Sequence, residues 1–202
     1  NSFPYFMTPP THGLIEKKIP EKAKTKKLKY NTHFHSGNEK ISLVSSGHIL
    51  GSSQVVIEGE QKIVTTTDFK LQDSLVQKGA EIIPCDVLVI ESTFGKKEFS
   101  FPSREEVYLE MEKWLSHAQK NNMLPVLAGY ATGKAQELTK IVNEFSSMTP
   151  FVHDSIFEKN TIAEEHGFNL GEFVKVDKNL KDEEVLIIPT KFCYQTVFHA
   201  NS

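Results

Sequence analysis

His48 lies in the run Gly47-His48-Ile49-Leu50-Gly51-Ser52, and Asp68 follows twenty residues later in Thr67-Asp68-Phe69. An imidazole and a carboxylate, each set at the end of an apolar strand-like run, are donors that suit zinc, and also manganese or iron. A carboxylate can also bridge two ions, one on each oxygen. Gly47 and Gly51 bracket the histidine and let the backbone turn sharply enough to bring the ring up to a ligand. Each residue alone has an ordinary reading. A histidine near a strand end is more often a hydrogen-bonded structural residue, and an aspartate after three threonines is most often a turn former. Together they read as half of a metal site.

The elements that must hold this pair are strands. Residues 41–44 alternate and are β-branched, residues 54–57 repeat the pattern, and Glu58 and Gly59 turn the chain into residues 61–64. Residues 87–90 form a continuous apolar run, which predicts a buried strand that delivers Glu91 at its C-terminal end. The pattern then changes from strand–strand to strand–helix. Ser103 followed by Glu106 predicts a capped helix start. Val107, Met111, Trp114, Leu115 and Ala118 then predict one apolar stripe packed in a core. Strands near 124–128, 151–152, 173–176 and 185–188 alternate with helices over 134–145 and near 155–166. This half is expected to be α/β with a parallel sheet, and the best division falls near residues 96–102.

The chain has 202 residues, 39% hydrophobic and 24% charged, enough for one or two globular domains. A net charge of −3 gives no global basic signal for nucleic acid. Residues 16–29 nevertheless hold seven lysines against Glu16 and Glu21, either a solvated face or a set of phosphate contacts. Cys85 and Cys193 match no metal or redox spacing, which favours a reduced, cytoplasmic protein. No apolar run reaches the ~20 residues of a membrane span. The chain opens on Asn1, directly into folded-looking sequence, as a fragment or processed product would.

Three lookalikes are set aside. His33-Phe34-His35 lacks the acidic residue and third histidine that complete an H-x-H-x-D-H motif, so alternating strand positions are the better reading. The loop from Gly129 to Lys134 is one residue short of a P-loop, with Ala135 where Ser or Thr is needed. A strand–loop–helix of this kind can still present backbone N–H groups to a phosphate. His117, His153, His166 and His199 show no mutual ligand spacing.

Residues 47–52, 67–69, 85–95, 101–106 and 133–138, in that order, resemble the β-CASP branch of the metallo-β-lactamase fold. The likeness spans residues 5–176 and is nearest to mRNA 3′-end processing factors, predicted exonucleases and ligase-associated DNA exonucleases. It implies part of a metallo-β-lactamase αββα sandwich over residues 1–98, followed over 99–202 by an inserted α/β β-CASP domain. His48 would be a zinc ligand, Asp68 the carboxylate bridging two zinc ions, and Glu91 the acidic residue that supports the site. The family has glycine where this chain has Thr67, and its N-terminal H-x-H-x-D-H motif and two later histidine motifs are unmatched. The implied activity is metal-dependent phosphodiester hydrolysis of single-stranded RNA or DNA, as exonuclease or endonuclease. The implied setting is RNA 3′-end processing, in a homodimer or a processing complex, with Lys26, Lys27 and Lys134 as phosphate contacts. The stretch by itself is expected to be inactive. The alternative is a non-catalytic β-CASP-like subunit that binds nucleic acid or a partner nuclease.

Overall fold

A computed structural model describes residues 4–176 and 184–193. The chain divides into two compact units, Asn1–Phe99 and Ser100–Ser202. No helix among the described residues is long and apolar enough to cross a membrane.

The first unit begins with β1 (Tyr5–Met7), α1 (Pro9–Ile15) and a 3-10 turn (Glu16–Lys18), then β2 (Thr25–Lys27), which pairs with β1 in parallel. A five-stranded sheet follows: β3 (His33–Ser36), β4 (Glu39–Ser45), β5 (Ser53–Glu58), β6 (Lys62–Thr65) and β7 (Val87–Val89), in chain order. Its pairings are antiparallel except for the last, β6 with β7. Register puts Val56 opposite Val64, with Val44 on the same face. These three form the buried core of the sheet under Ile83 and Cys85. The period-two patterning of residues 41–64 therefore reads out directly as sheet.

The second unit is α2 (Arg104–Lys120), β8 (Val126–Gly129), α3 (Lys134–Phe145), β9 (Thr149–Val152), α4 (Asp154–Glu165), β10 (Val174–Lys175) and β11 (Glu184–Pro189). All its strands are parallel, in the order β10-β9-β11-β8. Parallel neighbours need crossovers, which the intervening helices supply. The central β11 is buried at every residue, as a two-sided strand must be. Leu115, Ala135, Val142, Val152, Ile156 and Ile187 anchor the core around it. Ser103 and Glu106 form the capping box that the sequence predicts for α2.

Two burial expectations fail. Residues 87–90 are not buried: Val87, Leu88, Val89 and Ile90 are 38–55% exposed. β7 is an edge strand, paired only with β6, so a run suited to a covered strand lies open. The α2 stripe also splits. Leu115 and Ala118 pack inward with Tyr108, while Val107 and Trp114 stay exposed and line an open apolar groove with Met111, Val126 and Leu127. The helix is rotated so that Tyr108, not Val107, joins the buried line.

Leu115→Ala should therefore cost about 2–5 kcal/mol in urea denaturation. Trp114→Ala should cost within about 1 kcal/mol, and the native fluorescence of this single tryptophan should be readily quenched by acrylamide. Equal costs at the two positions would contradict this rotation of α2.

Candidate metal centre

His48 stands in the turn between β4 and β5. Ser46, with no exposed surface, closes the base of that turn. Its N–H donates to the Ser52 carbonyl (3.2 Å), and its own carbonyl accepts from Lys70 N–H (2.9 Å). Its hydroxyl donates to the Asp68 carbonyl at 2.9 Å and lies 2.9 Å from Ser52 Oγ. Ser52 Oγ in turn accepts from Ile49 N–H at 3.0 Å. One buried serine thus ties the histidine turn to the backbone of the candidate carboxylate.

The turn is also pinned from the other side. The hydroxyls of Thr8, the N-cap of α1, and Thr11 both donate to the Gly51 carbonyl, at 2.8 and 2.9 Å. The Tyr30 hydroxyl donates to the Ser52 carbonyl at 2.8 Å, and burial pushes that phenol up to about 12, so it remains a neutral donor. Gly47 and Gly51 both adopt left-handed backbone, φ +65° and +81°. A Cβ at Gly47 would stand 2.6 Å from Ala80 N and Lys70 O, and one at Gly51 2.6 Å from Thr11 N. Only glycine fits either position.

Asp68 follows β6 after Thr66, whose N–H donates to the Val89 carbonyl at 3.0 Å, and it lies with Thr67 in a bend. Thr67 is left-handed, φ +54°, which is strained for a β-branched residue. Its hydroxyl donates to the Ser53 carbonyl at 3.1 Å, and Thr66 Oγ1 donates to the Thr67 carbonyl at 2.9 Å. The backbone before Asp68 turns left-handed, a conformation that glycine adopts without strain.

The outcome is His48 Nε2 at 3.7 Å from Asp68 Oδ2, with the side chains 35% and 72% exposed. Two cis ligands on a tetrahedral zinc, at bonds of roughly 2.1 Å, stand about 3.4 Å apart. The pair fits one ion as two of its ligands after the two atoms close by about 0.3 Å, and the carboxylate is largely exposed. Among the described residues no group of three or more His, Cys, Asp or Glu side chains converges to hold a metal. Glu91 lies just past β7. Its Oε2 accepts from Thr93 N–H at 2.7 Å, and that bond holds the carboxyl below the usual range, with a smaller contribution from His48 charge.

The other sequence candidates lie elsewhere. Lys26 and Lys27 are exposed on β2. Lys134, in the second unit, opens α3 with Nζ 3.9 Å from Glu137, beside a Gly133 N–H already donating to Gln136 Oε1. His33 and His35 occupy β3 with their rings edge to face. His153 caps α4, His117 faces Asn121, and His166 ends α4. His199 lies outside the described residues. Sequence reading missed Ser46, Ser52, Thr8 and Tyr30. The paired serines flanking the glycine turn, Ser45-Ser46 and Ser52-Ser53, were the available signal.

A strand-end imidazole and carboxylate on one largely antiparallel sheet are followed in the chain by a parallel α/β unit. No family model matches the chain. It is 32% identical over 143 residues to the "Uncharacterized protein in lig 3′region" of Acidianus ambivalens, covering 69% of this chain and 98% of that one. It is 33% identical over 140 residues to cleavage and polyadenylation specificity factor subunit 3 of Dictyostelium discoideum, covering 64% of this chain and 17% of the relative. Over 166 residues it is 27% identical to the probable RNase MJ4 of Methanocaldococcus jannaschii, covering 79% and 38%. The chain belongs to the β-CASP family of metallo-β-lactamase-fold proteins. It spans well under half the length of the two relatives named for RNA processing.

Two variants test the scaffold. Ser46→Ala removes the donor to the Asp68 carbonyl and should cost about 0.5–1.5 kcal/mol, read by urea denaturation. Thr67→Gly should raise stability by about 1 kcal/mol, since left-handed strain on a non-glycine residue costs about 1–3 kcal/mol. A destabilised Thr67→Gly protein would show that the threonine hydroxyl outweighs the strain.

Proposed function

We propose that His48 and Asp68 serve as zinc ligands in a phosphodiester hydrolase that acts on single-stranded RNA or DNA, in RNA 3′-end processing in the cytoplasm. The observation that carries this reading is the 3.7 Å approach of His48 Nε2 to Asp68 Oδ2, fixed by the buried Ser46 hydroxyl. The names of the relatives support it: one is called a probable RNase, another a cleavage and polyadenylation subunit.

The chain's own residues have definite parts in this reading. His48 offers a ring nitrogen. Asp68 offers a carboxylate open enough to be shared. Glu91, kept ionised by the Thr93 amide, places negative charge near His48 and favours the imidazole as a donor. Zinc held by His48 and Asp68 would supply the Lewis acidity that phosphodiester hydrolysis needs.

In the intact protein, Asp68→Ala should abolish cleavage of labelled single-stranded RNA and DNA while leaving most single-strand binding. Undiminished cleavage would overturn the role assigned to Asp68. In the 202-residue chain, zinc binding should be weak and should vanish in His48→Ala. Tight binding of two zinc ions that survives His48→Ala would place the metal elsewhere.

A further inference from the structure

The lysines of the first unit are distributed unevenly with respect to their partners. Eight lysines from Lys40 to Lys175 stand within 3.9 Å of a carboxylate. Lys22, Lys24, Lys26, Lys27 and Lys29 are all exposed, and among the described residues none has a carboxylate partner. The stretch from Lys22 to Lys29 places five such lysines in eight residues, a concentrated positive strip in a chain of net charge −3. Such a strip attracts a polyanion.

The strip is held in place. Parallel register sets Lys26 opposite Phe6 and Lys27 opposite Met7. Phe6 stacks on Phe34 of β3 with ring centroids 3.7 Å apart, and Lys26 Nζ lies 5.6 Å from the Phe6 ring. The two-stranded arm is thereby clamped to the edge of the main sheet. Tyr5, on the opposite side of β1 from Phe6, is 62% exposed. Strand alternation puts Lys27 on the Tyr5 face and Lys26 on the Phe6 face. The exposed phenol ring offers an unpaired base a stacking surface, and lysines along both faces of the arm offer charge to the phosphates that flank it.

The arm also points somewhere. β1 runs directly into Thr8, whose hydroxyl holds the Gly51 carbonyl of the His48 turn. β2 runs on through Leu28, whose N–H donates to the Met7 carbonyl, to Tyr30, whose hydroxyl holds Ser52. Lys27 is therefore level with Met7, one residue before the contact with the histidine turn, or roughly 3.3 Å along the strand.

We propose that the β1–β2 arm is a docking strip for single-stranded nucleic acid, which leads the phosphate backbone toward the His48 turn. Tyr5 stacks on a base, and Lys24, Lys26 and Lys27 contact phosphates. The assignment rests on the nuclease reading for its direction but not for binding itself. An exposed aromatic face is useful to an unpaired base and not to a duplex, whose bases are already stacked, which favours a single strand over double-stranded DNA or an anionic lipid surface.

The test is fluorescence anisotropy with a labelled oligouridylate of about 12 nucleotides, in EDTA so that no hydrolysis occurs. The double variant Lys26→Glu/Lys27→Glu should bind about tenfold or more weakly, and the slope of log affinity against log salt should fall by about 1.4. Tyr5→Ala should weaken single-strand binding about tenfold and leave duplex binding unchanged. Far-UV circular dichroism and the milder Lys26→Gln/Lys27→Gln variant, with a smaller loss of the same kind, guard against misfolding. Wild-type affinity in both lysine variants would overturn the proposal. So would duplex or phosphatidylserine vesicles bound as tightly as the single strand and indifferent to Tyr5→Ala, which is the behaviour of a general polyanion face. Asp68→Ala should bind as the wild type does. Loss of cleavage alone concerns the metal reading, and loss of binding alone concerns the arm.

Discussion

The Ser46 hydroxyl, buried between two backbone segments, is the contact on which the candidate metal centre depends. It joins the carbonyl of Asp68 to the Ser52 end of the histidine turn, across a sequence separation of 22 residues. Neither His48 nor Asp68 is itself buried enough to be fixed by packing, since the two side chains are 35% and 72% exposed. Their approach has to be set by backbone, and that backbone is held by the hydrogen bonds of Ser46, a residue with no exposed surface. Thr8, Thr11 and Tyr30 complete the frame from the opposite side. An exposed pair of donors on a buried polar frame keeps its access to a ligand while losing little positional freedom.

The same frame concentrates unusual backbone. Gly47, Gly51 and Thr67 are all left-handed, and all lie within one or three residues of His48 or Asp68. At the two glycines close approach of neighbouring backbone leaves no space for a side chain. At Thr67 the strain is retained and offset by the Ser53 and Thr66 hydrogen bonds. Among the described residues Thr67 is the one β-branched residue with positive φ, and it stands next to Asp68.

Apolar surface shows a different kind of economy. β7 and the outer face of α2 carry Val, Leu, Ile and Trp side chains that are 38–55% exposed, although their patterns suit covered elements. Each belongs to a well-built unit: β7 continues the five-stranded sheet, and α2 closes over the second core through Leu115. The residue types record that the surface is apolar, while the neighbours available in space decide whether it is covered.

Much of the architecture was legible in the residues. Alternation over 41–64 specified the antiparallel strands, because side chains in a strand alternate between faces whatever surrounds them. The Ser103–Glu106 cap, the helix over 134–145 and the apolar run at 185–188 likewise rest on local geometry that the chain carries with it. The types and strand-end placement of His48, Asp68 and Glu91 were legible for the same reason. Tertiary structure alone decided the distance between His48 and Asp68, the role of Ser46 and the rotation of α2. It also decided the exposure of β7 and the pairing of β11 between β8 and β9. Each depends on segments distant in sequence meeting in space, and residue order does not encode which hydroxyl will meet which carbonyl.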